Sequence, residues 1–255
     1  MANVQKEVYV EGLGQIYVCN DSAFDDESEA VLGKSDSLIT LRDLAYARIH
    51  EGKDSSVSKN GSYVQEGSLF VPKSDNKRIW LRDSLVLQNP ASAVKAHKKN
   101  NEYQLPQGFD VNAHLASIGK DNYLVLKDIS SVPTNRFGED PRMVWAFGDQ
   151  SKAYGDFLSG AGIKNLNIWM YTDDDNYIDS QKGPFANQLW LLRLDDYSLI
   201  GGSGRDLDDY DRVRGVRAVQ KNSDLYSLNQ ITDTFKTMKL EGLTESYIKE
   251  LKKDR

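Results

Sequence analysis

One stretch of this chain cannot build a core of its own, and that limits what the rest must do. From Asp195 to Asp211 the sequence reads Asp-Asp-Tyr-Ser-Leu-Ile-Gly-Gly-Ser-Gly-Arg-Asp-Leu-Asp-Asp-Tyr-Asp, dominated by Asp, Gly, Ser and Tyr. A segment of this kind buries little apolar surface, so its order has to come from what flanks it. The flanks are of the opposite character: Leu189-Trp-Leu-Leu-Arg-Leu194 before it and Arg212-Val-Arg-Gly-Val-Arg217 after it. Gly201, Gly202 and Gly204 read as positions for tight or positive-φ backbone. Tyr197 and Tyr210 offer contact area at low entropic cost, and Ser203 and the aspartates offer adaptable hydrogen bonds, which is the composition logic of antibody paratopes. Binding residues tend to sit on such loops, held by a rigid scaffold.

The remainder of the chain supplies scaffold of mixed type. Val8–Val18 reads as strand with a Gly12-Leu-Gly14 break, and Ser22–Ser28 as an acidic loop. Ser37 is the expected N-cap of a helix through Leu38, Leu41, Leu44, Ala45 and Ile49 that Gly52 ends. Ser68–Pro72 and Arg78–Arg82 are short strands about a Lys73–Asn76 turn. Asn89-Pro90 opens a helix, with the asparagine as cap and the proline at its first position. Asn122–Ile129 and Met143–Phe147 read as strands. Asp149 is the expected cap of a helix carrying Ala153, Tyr154, Phe157 and Leu158. Leu166–Tyr171, Gln188–Leu194 and Arg212–Val219 follow as strands, and Leu228–Met238 and Thr244–Lys253 as helices. The expectation is one α+β domain over residues 1–219, with a helical extension over 220–255.

Composition removes several function classes. The chain has 255 residues, a net charge of −6 and a pI near 5.2, which argues against a nucleic-acid partner. Its one cysteine, Cys19, rules out an intramolecular disulfide and sits in an apolar run that suggests a buried structural thiol. No apolar signal region follows Met1, and no stretch approaches the roughly 20 apolar residues of a membrane span. The expectation is therefore a chain made in the cytoplasm, without a signal peptide or membrane insertion.

Metal and catalytic motifs are also missing from the sequence. The aspartates of the polar segment do not have EF-hand spacing, and Asp173-Asp-Asp-Asn176 reads as a turn. His50, His97 and His114 show no metal-ligand spacing. No nucleophile elbow, phosphate loop or dinucleotide fingerprint is present. Among the acidic residues, Asp83, Glu139 and Asp140 are the first to consider for paired-carboxylate chemistry. The expectation is a non-enzyme with no cofactor and no metal.

The run Gln188-Leu-Trp-Leu-Leu-Arg-Leu194, the polar stretch and Arg212-Val-Arg-Gly-Val-Arg217, with Pro133–Asp140 and Phe147–Gln150 upstream, resemble the variable proteins of diversity-generating retroelements. The likeness is to those of archaea and archaeal viruses, and it covers roughly Pro133 to Val219. The resemblance implies a C-type lectin-like fold with a mainly antiparallel mixed sheet and flanking helices. It also implies a variable region over about 189–217, in which adenine-directed mutagenesis rewrites exposed positions. Carried over, Leu189, Trp190, Arg193, Leu194, Leu207, Arg214, Gly215 and Arg217 are framework. The varied, ligand-binding positions are Asp195, Asp196, Tyr197, Gly201, Gly202, Ser203, Gly204, Asp206, Asp208, Asp209, Tyr210 and Asp211. The partner implied is a protein or cell-surface ligand, with viral attachment to a host as one use and the virion as one location. Two competing expectations stand beside it. One is an enzyme on the lectin-like scaffold of the formylglycine-generating family, for which Cys19 is the available thiol. The other is a structural or assembly protein that makes contact through its C-terminal helices.

Overall fold

The structure, a computed structural model, describes residues 2–99, 101–170, 174–194, 199–202, 207 and 212–218. All belong to one unit, Met1–Ala218. The expected helices Leu228–Met238 and Thr244–Lys253, and the extension 220–255 as a whole, lie outside the described residues.

The strands are β1 (Gln5–Val10), β2 (Gly14–Cys19), β3 (Ser37–Leu38), β4 (Ser62–Phe70), β5 (Arg78–Leu81), β6 (Tyr103–Gln104), β7 (Tyr123–Val125), β8 (Val132–Pro133), β9 (Asn165–Met170), β10 (Phe185–Leu191), β11 (Leu199–Gly202) and β12 (Val213–Ala218). The helices are α1 (Phe24–Leu32), α2 (Leu41–Glu51), α3 (Ser56–Lys59), α4 (Pro90–His97), α5 (Val111–Ile118), α6 (Pro141–Phe147), α7 (Ser151–Gly160) and α8 (Asp175–Ser180). The main path of the sheet runs β1-β2-β12-β4-β10-β11-β9-β8, with β3 on β12, β6 on β10, and β5 joining β4 to β7. Most pairings are antiparallel; β11 runs parallel to β9, and β12 meets β4 in a parallel bridge. The N-terminal hairpin therefore sits beside a strand from the other end of the domain. Cys19 pairs with Val213 and Ile16 with Val216.

Side chains alternate across a strand, so a sheet covered on both faces reads as a continuous apolar run. β10 is of this kind and is buried along its whole length. Phe185, Leu189 and Leu191 enter one core with Leu44, Val64, Phe147, Tyr154 and Leu158. Ala186 and Trp190 enter a second core with Phe24, Tyr63, Leu69, Leu81, Val94 and Leu207. Helices α2, α6 and α7 supply the first core, and α1 and α4 the second. No helix among the described residues is long and apolar enough to cross a membrane.

Local signals explain most elements and correct several expectations. Asn89 caps α4, accepting from Ser92 N–H at 3.2 Å, with Pro90 at the first position. The Ser22–Ser28 stretch is not a loop: α1 begins at Phe24, and Asp25, Asp26 and Glu27 fill its first turn, where negative charge favours the helix dipole. Ser37 lies in β3, and the cap of α2 is Thr40, whose hydroxyl accepts from Asp43 N–H at 3.0 Å. Met143–Phe147 is helical because Asp140 caps it and Pro141 fills its first position. Asp149 does not cap α7, which starts from Gln150; its carboxylate takes a two-pronged ion pair from Arg42 at 2.9 and 3.1 Å. Of the Asp173–Asn176 turn, Asp174 caps α8 and accepts from Asn176 N–H at 2.8 Å.

Candidate functional site

The polar segment is strung on a set of fixed backbone points. Leu194 N–H donates to Ser58 C=O at 2.8 Å, and Leu192 N–H to Leu199 C=O at 3.0 Å. Further along, Leu207 C=O accepts from Phe24 N–H at 3.2 Å and Arg212 C=O from Tyr63 N–H at 3.0 Å. Leu194, Leu207 and Arg212 are thus tied by backbone hydrogen bonds to α3, α1 and β4, and Leu199 to Leu192 just after β10. Leu207, in the middle, is fully buried.

Two buried arginines stiffen α3 and the residues just after it. Arg214 has no exposed side-chain surface and grips Glu7 with Nε at 2.5 Å and a terminal nitrogen at 2.8 Å; its other terminal nitrogen donates to Gly61 C=O at 2.8 Å. Arg212 adds a longer contact to Glu7 at 3.6 Å, and Ser56 Oγ–H donates to it at 2.5 Å. Burial pushes the Glu7 carboxyl up, but the hydrogen bonds and charge of Arg214, with Ser56 and Arg212, outweigh it and hold Glu7 below the usual range. Arg48 is fully buried and satisfied by Val57 C=O at 2.9 Å, the Tyr154 hydroxyl at 2.9 Å and Asn60 C=O at 3.2 Å. Desolvation lowers its pKa, and Tyr154 opposes the shift. Arg48 and Arg214 thus approach the same short segment, 57–61, at the end of α3 from two elements, and Ser58 in it holds Leu194.

The frame contains positions that sequence reasoning had assigned to the display surface. Gly201 and Gly202 lie in β11, paired with β10 and β9, and both are buried. A Cβ at Gly201 would fall inside the Trp190 indole. Gly201 is therefore glycine because of a close approach and not because of a flexible turn, and neither glycine is part of an exposed patch. Gly215 behaves alike: a Cβ there would collide with Ser35 and Val31. Leu189, Trp190, Leu207 and Arg214 are buried and Leu194 is half-buried. Arg193 and Arg217 reach the surface, and Arg217 lies over the Tyr17 ring at 5.6 Å. Asp195, Asp196, Tyr197, Ser203, Gly204, Asp206, Asp208, Asp209, Tyr210 and Asp211 lie outside the described residues. Glu7 and Arg48 were not legible as frame residues, because neither local periodicity nor a motif marks the burial of one charged side chain.

The residues singled out for catalysis are not gathered together. Asp140 caps α6 and pairs with Arg142 at 2.7 Å, and Glu139 makes a surface pair with Arg136 at 3.7 Å. Asp83 lines a cleft of about 560 Å³ with Thr40, Arg42, Gln65, Glu66, Arg82 and Asp149. Glu66 at its base is fully buried; Leu41 N–H donates to its Oε2 at 3.0 Å, and Arg82 lies 3.7 Å from Oε1. Burial pushes its carboxyl up to about 8, against the hydrogen bond from Leu41 and the charge of Arg82. The Arg82 guanidinium packs over Trp145 at 4.1 Å. Cys19 is fully buried, and desolvation, the hydrogen bond to Asp21 and the charge of Glu27 push its thiol up to about 11. A thiol so placed lacks the thiolate character that nucleophilic chemistry needs.

No family model matches the sequence, and no curated protein matches it. The fold does have a counterpart. A solved structure reported as "Accommodation of massive sequence variation in Nanoarchaeota by the C-type lectin fold" superposes with a TM-score of 0.52 at 17% identity, over 82% of this chain and 99% of that one. The mixed sheet covered by helices on both faces, with its C-terminal strand inserted between β2 and β4, is accordingly a C-type lectin fold.

Proposed function

We propose that this chain is a non-catalytic ligand-binding protein of the diversity-generating retroelement type, presenting the polar positions between Asp195 and Asp211 to a protein or cell-surface ligand. The observation that carries the reading is the separation of duties within one segment. Leu189, Trp190, Leu207 and Arg214, beside or between the polar runs, are buried, Leu194 and Leu207 are tied by backbone hydrogen bonds, and glycines at Gly201 and Gly215 are required by the packing of Trp190 and Val31. The solved structure with this fold, whose description concerns massive sequence variation in Nanoarchaeota, supports the same reading. The sequence resemblance extends it to adenine-directed variation and to attachment of a viral particle to its host as a use for the surface.

The chemistry of recognition follows from composition. Tyr197 and Tyr210 are the expected energetic anchors, since binding energy concentrates in aromatic side chains. The aspartates favour a basic partner and speed encounter more than they add affinity. Variation is confined to positions outside the core, because core substitutions typically cost about 2–5 kcal/mol.

Sequencing several genomic copies of the gene tests the proposal. Substitutions should fall at adenine-containing codons of Asp195, Asp196, Tyr197, Ser203, Gly204, Asp206 and Asp208–Asp211. Trp190, Gly201, Gly202, Leu207, Arg214 and Gly215 should be constant, and a template repeat should lie beside a reverse transcriptase gene. Copies that vary as often at Trp190 or Arg214 as at Tyr197 would refute it.

A further inference from the structure

Beyond ligand display, we propose that Cys19, Asp21 and Glu27 form a binding site for a divalent metal ion of the zinc type. Cys19 ends β2, Asp21 lies in the following turn, and Glu27 is in the first turn of α1. One ligand atom from each lies within 4.8 Å of the other two, as capture by a single ion requires. The Cys19 thiol is 3.3 Å from Asp21 Oδ1, and Asp21 also accepts from Asn3 N–H at 3.1 Å.

Glu27 is the independent sign that something belongs there. It is 1% exposed, and Ser22 N–H donates to its Oε1 at 3.0 Å, but its buried Oε2 makes no hydrogen bond of ordinary length and angle, although the Val213 backbone group acts on the carboxyl. An unsatisfied buried acceptor on an ionisable group is costly and needs an explanation. Two carboxyls and a thiol converge here, and among the described residues no lysine or arginine pairs with Asp21 or Glu27. Burial pushes Glu27 up to about 7, and the charge of Asp21 adds to it, while the Ser22 and Val213 backbone groups oppose the shift. A divalent cation reverses these electrostatics, because it favours the deprotonated form of every group around it.

The donor set selects the metal. A thiolate favours zinc and its soft relatives over calcium or magnesium, and carboxylate oxygens are common in zinc sites. Three protein ligands leave a fourth tetrahedral position for water. On binding, the S–H bond of Cys19 breaks, a metal–sulfur bond forms, and the proton leaves to solvent, with a second proton from Glu27 where it is protonated. The site would join β2, the turn and α1 next to the points where Cys19 pairs with Val213 and Phe24 donates to Leu207. It would thus secure the roots of the display segment in a chain that has no disulfide.

Titration of the full-length chain with Co²⁺ tests this directly, since Cys19 is its only thiol. The expected result is a near-ultraviolet thiolate-to-cobalt charge-transfer band at one equivalent. Zn²⁺ should bleach it, and the Tm should rise with Zn²⁺ and fall back with a chelator. Cys19→Ser removes the band. Because Cys19 is buried, Asp21→Asn on the surface is the companion variant; it should stay folded and bind Zn²⁺ at least about tenfold more weakly. Absence of the band in the folded wild-type chain, or unchanged Zn²⁺ affinity in folded Asp21→Asn, overturns the proposal.

Discussion

Glu66 and Glu7 are both buried carboxyls, yet they respond to pH in opposite senses. Glu66 is held protonated by desolvation, with a folded value of about 8 against an ordinary 4.5. The native chain therefore binds more protons than the unfolded chain between those values. The stability that Glu66 contributes is complete below about pH 4.5, falls as pH rises, and is gone above about pH 8. Glu27, pushed to about 7, acts in the same sense over a narrower range. Glu7 lies below its ordinary value, so its contribution is present above about pH 4.5 and is lost as pH falls through its folded value. Glu66→Gln keeps an acceptor for Leu41 N–H and removes the ionisation. Its Tm relative to wild type should rise between about pH 5 and about pH 9; a parallel pair of curves would refute the assignment. Arg214 gives the complementary test. Arg214→Met strands a buried Glu7 carboxylate and should cost about 3–5 kcal/mol in denaturant unfolding, with part recovered when Glu7→Gln is added. A loss under about 1 kcal/mol would mean that the pair does not hold the frame.

Strand β11 shows what an element can conceal from its own sequence. Leu-Ile-Gly-Gly between two acidic stretches reads as loop, and the structure makes it a strand that closes the gap between β10 and β9. The reason is distant in sequence: the indole of Trp190 occupies the space a Gly201 side chain would need. Gly201→Ala should therefore cost about 1–3 kcal/mol by overpacking, and Trp190→Leu in the same chain should relieve part of that cost. Additive losses in the double variant would show that the two positions do not touch. Elements with strong local chemistry were legible, such as the Asn89-Pro90 start of α4 and the Val8–Val18 strand with its Gly12–Gly14 break, which the structure folds into the β1–β2 pair. Met143–Phe147 was not, because a short apolar run fits strand and buried helix equally, and Asp140-Pro141 is the signal that decides it. The acidic start of α1 was misread for a different reason, since charge in a first turn looks like loop composition.

For the whole molecule, the C-type lectin fold was legible through residues 188–217, while two of the positions read there as exposed, Gly201 and Gly202, are buried in β11. The charged supports of the frame, Glu7 and Arg48, were not legible, because their burial is a property of the assembled sheet and helices. The account predicts that the fold is specified without the polar positions. Randomising Asp195, Asp196, Tyr197, Ser203, Gly204, Asp206 and Asp208–Asp211 together, and measuring the Tm of the resulting variants, tests this most directly. Surface substitutions usually change stability by about 0.5 kcal/mol or less each. Most variants should therefore melt cooperatively within about 10 °C of the parent, a shift of roughly 2–4 °C per kcal/mol for a domain of this size. If most variants instead fail to melt as folded proteins, the polar segment is part of the fold and the account is wrong.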